Sequence, residues 1–81
     1  LTGKGGKMDI GMLWFDNDKK SDMISKVTKA ADYYRSKYGE DPNICFVHPS
    51  MISEKPQNMK GVAIRSNITV LPHHYWIGVQ Q

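Results

Sequence analysis

Between Ser21 and Gly39 apolar residues recur at Ile24, Val27, Ala31, Tyr34 and Tyr38, at alternating spacings of three and four. That is the period of one face of an α-helix. Ser21 is positioned as its N-cap and Asp22 at the positive end of its dipole, while Arg35 and Lys37 suit the negative end. Gly39 can take the left-handed conformation that ends a helix, and Pro42 discourages continuation. The pattern predicts one long helix over about 21–38 with a single apolar stripe, and such a stripe needs a sheet to lie on.

The remaining apolar runs supply strands. Asp9–Phe15 (DIGMLWF) alternates loosely and becomes apolar on both sides toward Leu13, Trp14 and Phe15, as in a strand entering the middle of a sheet. Ile44–His48 (ICFVH) is a second apolar run, so strand, helix and strand predict a βαβ unit with parallel strands and a right-handed crossover. Ser53–Lys60, polar and carrying Pro56, reads as a surface loop. Gly61–Arg65 and Ile68–Leu71 alternate on either side of Ser66-Asn67 and predict a hairpin, and Tyr75–Val79 (YWIGV) predicts a last strand. The expected fold class is α+β: a small single domain over 8–81 in β-α-β-β-β order, the hairpin taken as one unit. Its mixed sheet carries the long helix on one face. Leu1–Lys7 (LTGKGGK) reads as a flexible tail; the lysine is followed by neither Ser nor Thr and no helix opens there, so it is not a phosphate loop.

One helix covers only one face of such a sheet. With Val62, Ile64, Ile68, Val70, Tyr75, Ile77 and Val79 beneath it, alternation sends Ala63, Arg65, Thr69, Leu71 and Trp76 to the other side. Leu13 or Trp14, and Cys45 or Val47, join them. A face this apolar is expected to be covered, by the Pro49–Lys60 loop, a second copy of the chain or a different partner, and 81 residues is near the size at which one core becomes marginal. The partner expected is a second copy, a homodimer through the uncovered sheet face with Arg65, Leu71 and Trp76 at the contact. A sheet that stacks RNA bases would show more than one exposed aromatic there, and Trp76 alone is clear from the pattern.

Charge adds a second candidate partner. The formal net charge is +3, and six basic residues stand against Asp22 and Asp32 between Lys19 and Gly39. With the apolar stripe inward, Lys26, Lys29, Tyr33 and Lys37 form one outer strip, which could follow a nucleic-acid backbone and neutralise its phosphates. Cys45 is the only cysteine, so an intrachain disulfide is excluded, and a lone cysteine in an apolar run fits a reducing compartment. With no apolar run of about 20 residues and no signal-peptide pattern, the expectation is a cytoplasmic protein with no membrane partner.

Chemistry-bearing residues collect at the expected carboxyl ends of the two parallel strands, where Asp16, Asn17 and Asp18 would approach His48 and Ser50. Ser50 follows Pro49 and lacks the glycine-flanked elbow that presents a hydrolase nucleophile. Cys45, His48, His73 and His74 are possible metal ligands, but Cys45 and His48 fall on opposite faces of a strand and adjacent histidines diverge. No metal or cofactor is expected. The leading reading is a small non-enzymatic interaction module, self-associating and nucleic-acid-associated through the helix strip. The alternative is a small hydrolase or metal-assisted enzyme using Asp16, Asp18, His48 and Ser50.

Overall fold

The computed structural model describes residues 8–52, 57–59 and 61–80, and the side chains of 11–52 and 61–80. The Leu1–Lys7 tail, and the expected loop at 53–56 and 60, lie outside the described residues. The fold is α+β, with β1 (Met8–Phe15), α1 (Met23–Tyr38), β2 (Ile44–Val47), a single 3-10 turn at Pro49–Met51, β3 (Gln57–Met59), β4 (Val62–Ser66) and β5 (His74–Gln80). The strands form one mixed sheet in the order β1-β5-β2-β4-β3. Only β2 and β4 pair in parallel; β1–β5, β2–β5 and β3–β4 are antiparallel.

This order corrects the simple βαβ unit. β1 and β2 point the same way, but β5 lies between them and hydrogen-bonds to both. The physical reason is that β5 is apolar on both sides through Tyr75, Trp76, Ile77 and Val79, which suits a strand with neighbours on each edge. The crossover through α1 therefore spans β5, on which the helix packs.

The hairpin is also relocated. β4 pairs with β3, not with 68–71, so part of the expected 53–60 loop is strand. After Ser66 the Asn67 side chain takes over the backbone: its Oδ1 accepts from the Thr69 N–H at 2.9 Å and from the Thr69 hydroxyl at 2.6 Å, while the Val70 N–H bonds to the Asn67 carbonyl. An Asn that satisfies its neighbours in this way diverts the chain from a ladder. Leu71–His74 then makes a tight turn with Pro72 second and His73 third at φ 67°, the positive value a type II turn requires. Leu71 and Thr69 are consequently exposed loop residues rather than members of the sheet face.

The helix begins one residue later than expected at its cap. Asp22, not Ser21, is the N-cap, accepting from the Ser25 N–H at 2.9 Å, while the Ser21 hydroxyl donates to Asp18. Gly39 ends the helix at φ 77°, its N–H returning to the Arg35 carbonyl. The buried stripe is rotated relative to the expected one. Met23, Val27, Ala30, Ala31 and Tyr34 face the sheet, and Ile24 is 55% and Tyr38 36% exposed. The spacing 23, 27, 30, 31, 34 satisfies the helical period equally well, and the paired alanines let the helix axis approach the strands. Opposite them lie Met12, Cys45, Val47, Val62, Ile64, Tyr75 and Ile77, which complete the core. No described helix is long and apolar enough to cross a membrane.

Three buried titratable groups give this core a pH signature, one of them the Tyr34 phenol, which burial raises above its ordinary value. Burial raises the Cys45 thiol from 9.0 to about 12. The Tyr75 phenol rises from 10.0 to about 12, first through burial and then through Asp16 and Cys45. The Tyr75 hydroxyl has no hydrogen-bond partner among the described residues, nor does the Trp14 indole N–H. All three folded pKa values lie above their unfolded ones, so the folded state holds protons that the unfolded state releases. The stabilisation from keeping these groups neutral is complete below about pH 9 and is lost as pH rises toward 12. Thermal unfolding followed across this range should show the melting temperature falling from about pH 9 upward. In Tyr75→Phe the part of that fall above about pH 10 should shrink. At pH 7 the same variant should match or exceed the parent by up to about 1 kcal/mol, because it removes an unsatisfied buried hydroxyl.

Candidate functional site

Strand alternation and the pairing register together place a defined set of residues on the face that α1 leaves uncovered. Leu13 pairs with Trp76, Trp76 with Phe46 and Phe46 with Arg65, so one row crosses β1, β5, β2 and β4. At about 4.8 Å per strand the row spans roughly 14 Å. Beside it Phe15 pairs with His74, their rings 4.9 Å apart and tilted by 53°. Leu13 is 57%, Phe15 56% and Trp76 36% exposed, whereas Phe46 and Arg65 are half-buried. No described side chain of this face carries a carboxylate.

Gly11 explains the posture of Trp76. It pairs with Gly78, one step along the same face, and a Cβ built on it would lie 2.4 Å from Cζ2 and 2.9 Å from Cη2 of the indole. The six-membered ring of Trp76 therefore rests on bare backbone. Glycine within a strand weakens it and marks a place where another group comes close. Here that group is an aromatic ring, held against the sheet on one side.

The alternative catalytic constellation is not assembled. β1 and β2 end at the same margin of the sheet, but β5 separates them, so Asp16 and His48 follow strands about 10 Å apart. Asp16 Oδ1 accepts from the Asp18 N–H at 3.0 Å; Asp18 accepts from the Lys20 N–H and the Ser21 hydroxyl. These bonds, with smaller contributions from Lys26 and Lys29, hold the Asp18 carboxyl below the usual carboxylate range. Its oxygens serve the turn into the helix. His48 and Ser50 do meet, with Ser50 Oγ 2.8 Å from Nδ1, yet the Ser50 N–H also donates to that nitrogen at 3.1 Å. His48 is thus the cap of the Pro49–Met51 turn. A serine beside an imidazole needs a third group to orient the ring, and neither Asp16 nor Asp18 bonds to it among the contacts described. Cys45 is wholly buried on the helix side, whereas His74 lies on the opposite face. Among the described residues no three His, Cys, Asp or Glu side chains converge as metal ligands.

The helix strip is narrower than its spacing implied. Lys26 is 6% exposed, with its stem in the core margin, and Tyr33 packs on Trp14 at 5.2 Å. Lys29 and Lys37 remain outward, Lys37 lying over the Tyr38 ring at 5.5 Å. A groove of about 500 Å³ opens between the second half of α1 and the starts of β2 and β4. Its charged side chains are Arg35, Asp32 and Asp41, and Arg35 bridges the two acids, clasping the helix end to the following loop.

From β2 the expected member of this face was Cys45 or Val47, but the register turns both into the core and puts Ile44 and Phe46 here, with Phe15 and His74 beside them. The signal that finds them is register, since ICFV is apolar throughout and either phase would bury it equally.

Gly11→Ala should lower the melting temperature, because its methyl group displaces the indole, a strain of about 1–3 kcal/mol. In a Trp76→Ala background the sign should reverse, with alanine gaining roughly 0.5–1 kcal/mol over glycine. Thermal denaturation of the four members of this cycle checks both. No protein-family model, curated protein or solved structure matches the chain, so the reading of this face rests on its geometry.

Proposed function

We propose that this domain is a non-enzymatic interaction module whose working surface is the helix-free face of the sheet. The observation that carries the reading is the cross-strand row Leu13–Trp76–Phe46–Arg65, which sets aromatic and aliphatic side chains side by side on a face that no described helix covers. Fully burying a large apolar side chain stabilises by about 1.5–3 kcal/mol, so half-exposed Leu13 and Phe15 each retain roughly 1 kcal/mol for a partner to recover. Neighbouring exposed apolar side chains of this kind mark interaction surfaces.

The enzyme reading has less support, because the acids and the histidine that would carry it are separated by β5 and occupied in turns. The same exposed residues favour weak self-association, sheet face to sheet face, when no other partner is present. Light scattering over a range of protein concentration tests the surface. The parent should gain mass as concentration rises, and the double variant Leu13→Ser with Phe15→Ser should stay monomeric with its melting temperature little changed. If that variant unfolds, or if its mass rises with concentration as the parent's does, the row is ordinary packing and the reading fails.

A further inference from the structure

We infer that the partner taken up by this face is a single-stranded nucleic acid, an inference that rests on reading the face as the working surface. Trp76 lies with one side of its ring against Gly11 and is 36% exposed, and Phe46 is its direct cross-strand neighbour. Phe15 and His74 form a second ring pair on the same face. Unpaired bases stack on such rings whatever their sequence, because every base has a π-face, and the roughly 14 Å row accommodates two or three of them. A duplex offers only the edges of bases already stacked on one another, so the flat ring selects single strands.

Charge decides between a nucleic acid and a second copy as the favoured occupant. The chain carries a formal net charge of +3. Arg65 stands on the β4 side of the row, its Nη1 also donating to the Ile64 carbonyl at 3.0 Å, and the turn after Phe15 carries exposed Lys19 and Lys20 together with Asp16 and Asp18. The described side chains of the face include no acid; Asp16 and Asp18 lie beyond its β1 edge in the turn that also carries Lys19 and Lys20, and Asp22, Asp32 and Asp41 lie at the helix cap and the Arg35 clasp. Two basic copies gain no charge complementarity by meeting on this face; a polyphosphate backbone running beside the stacked bases does. The helix lysines are not needed for it.

The test is fluorescence anisotropy with the full chain and labelled oligo-dT, oligo-U and a duplex, each about ten nucleotides long. Both single strands should bind, the duplex at least about tenfold more weakly, and affinity should fall steeply between about 50 and 200 mM salt. Trp76→Ala and Phe46→Ala should each weaken binding roughly tenfold or more, while Trp76→Phe and Phe46→Tyr stay within about threefold of the parent. Lys29→Gln with Lys37→Gln should change it less than either alanine variant. If Trp76→Ala does not fold, Phe46→Ala and the Trp76→Phe comparison carry the test. No binding at low salt, equal binding to duplex, or loss only with the helix lysines would overturn the inference. Light scattering on the same samples separates the two levels. A dimer that Trp76→Ala dissolves, with no oligonucleotide bound, keeps the face and removes the nucleic acid, whereas a monomer that binds nothing removes both. Where both forms occur, added oligo-U should return the mass to that of one chain with its strand.

Discussion

The pairing of β5 on both its edges is the constraint from which the rest of the structure follows. Because that strand hydrogen-bonds to β1 on one side and β2 on the other, it converts two parallel strands and a helix into a split unit. It also sets the phase of its neighbours. Ile77 lies opposite Met12 and Cys45 on the helix side, so Trp76, one residue earlier, must stand opposite Leu13 and Phe46 on the other. The core and the exposed row are two consequences of one register.

The faces are correspondingly unlike. Under α1 the cluster of core residues is almost wholly enclosed, and the alanines at 30 and 31 bring the helix close. On the far side the glycine pair Gly11–Gly78 leaves space that an indole occupies by lying down. A slip of one residue in β5 would exchange these roles and destroy both surfaces. The geometry is therefore strongly specified although no disulfide supports it, Cys45 being free within the core.

Much of this architecture was legible along the chain, and where legibility ended has physical causes. The helix declared itself through period, Gly39 and its basic last turn, and the strands through runs of apolar residues. The fold class followed. Its stripe could not be phased, because Ile24 and Tyr38 fit the period as well as Met23 and Ala30 do, and only the sheet chooses between them. The expected hairpin at 66–67 rested on alternation, which cannot reveal that Asn67 spends its side chain on Thr69. The insertion of β5 was hidden because strand order is a long-range property. Of the sheet face, Trp76, Arg65 and one of the Leu13–Trp14 pair were accessible from alternation, while β2 was phased wrongly, Cys45 or Val47 being expected where Phe46 stands, because the run is apolar in both phases. The helix strip misplaced Lys26, whose long stem lets it lie in the core margin.

The central position of β5 also has a temporal meaning. Every other described strand precedes this one, yet among the described residues β1 has no other neighbour in the sheet and β2 lacks half its ladder until it arrives. During synthesis, everything up to the Leu71–His74 turn leaves the ribosome as a helix and strands without the piece that joins them. Pairings between residues so distant in sequence form slowly, after most of the loop-closure entropy has been lost. The core and the opposite sheet face therefore form together, when β5 enters between β1 and β2.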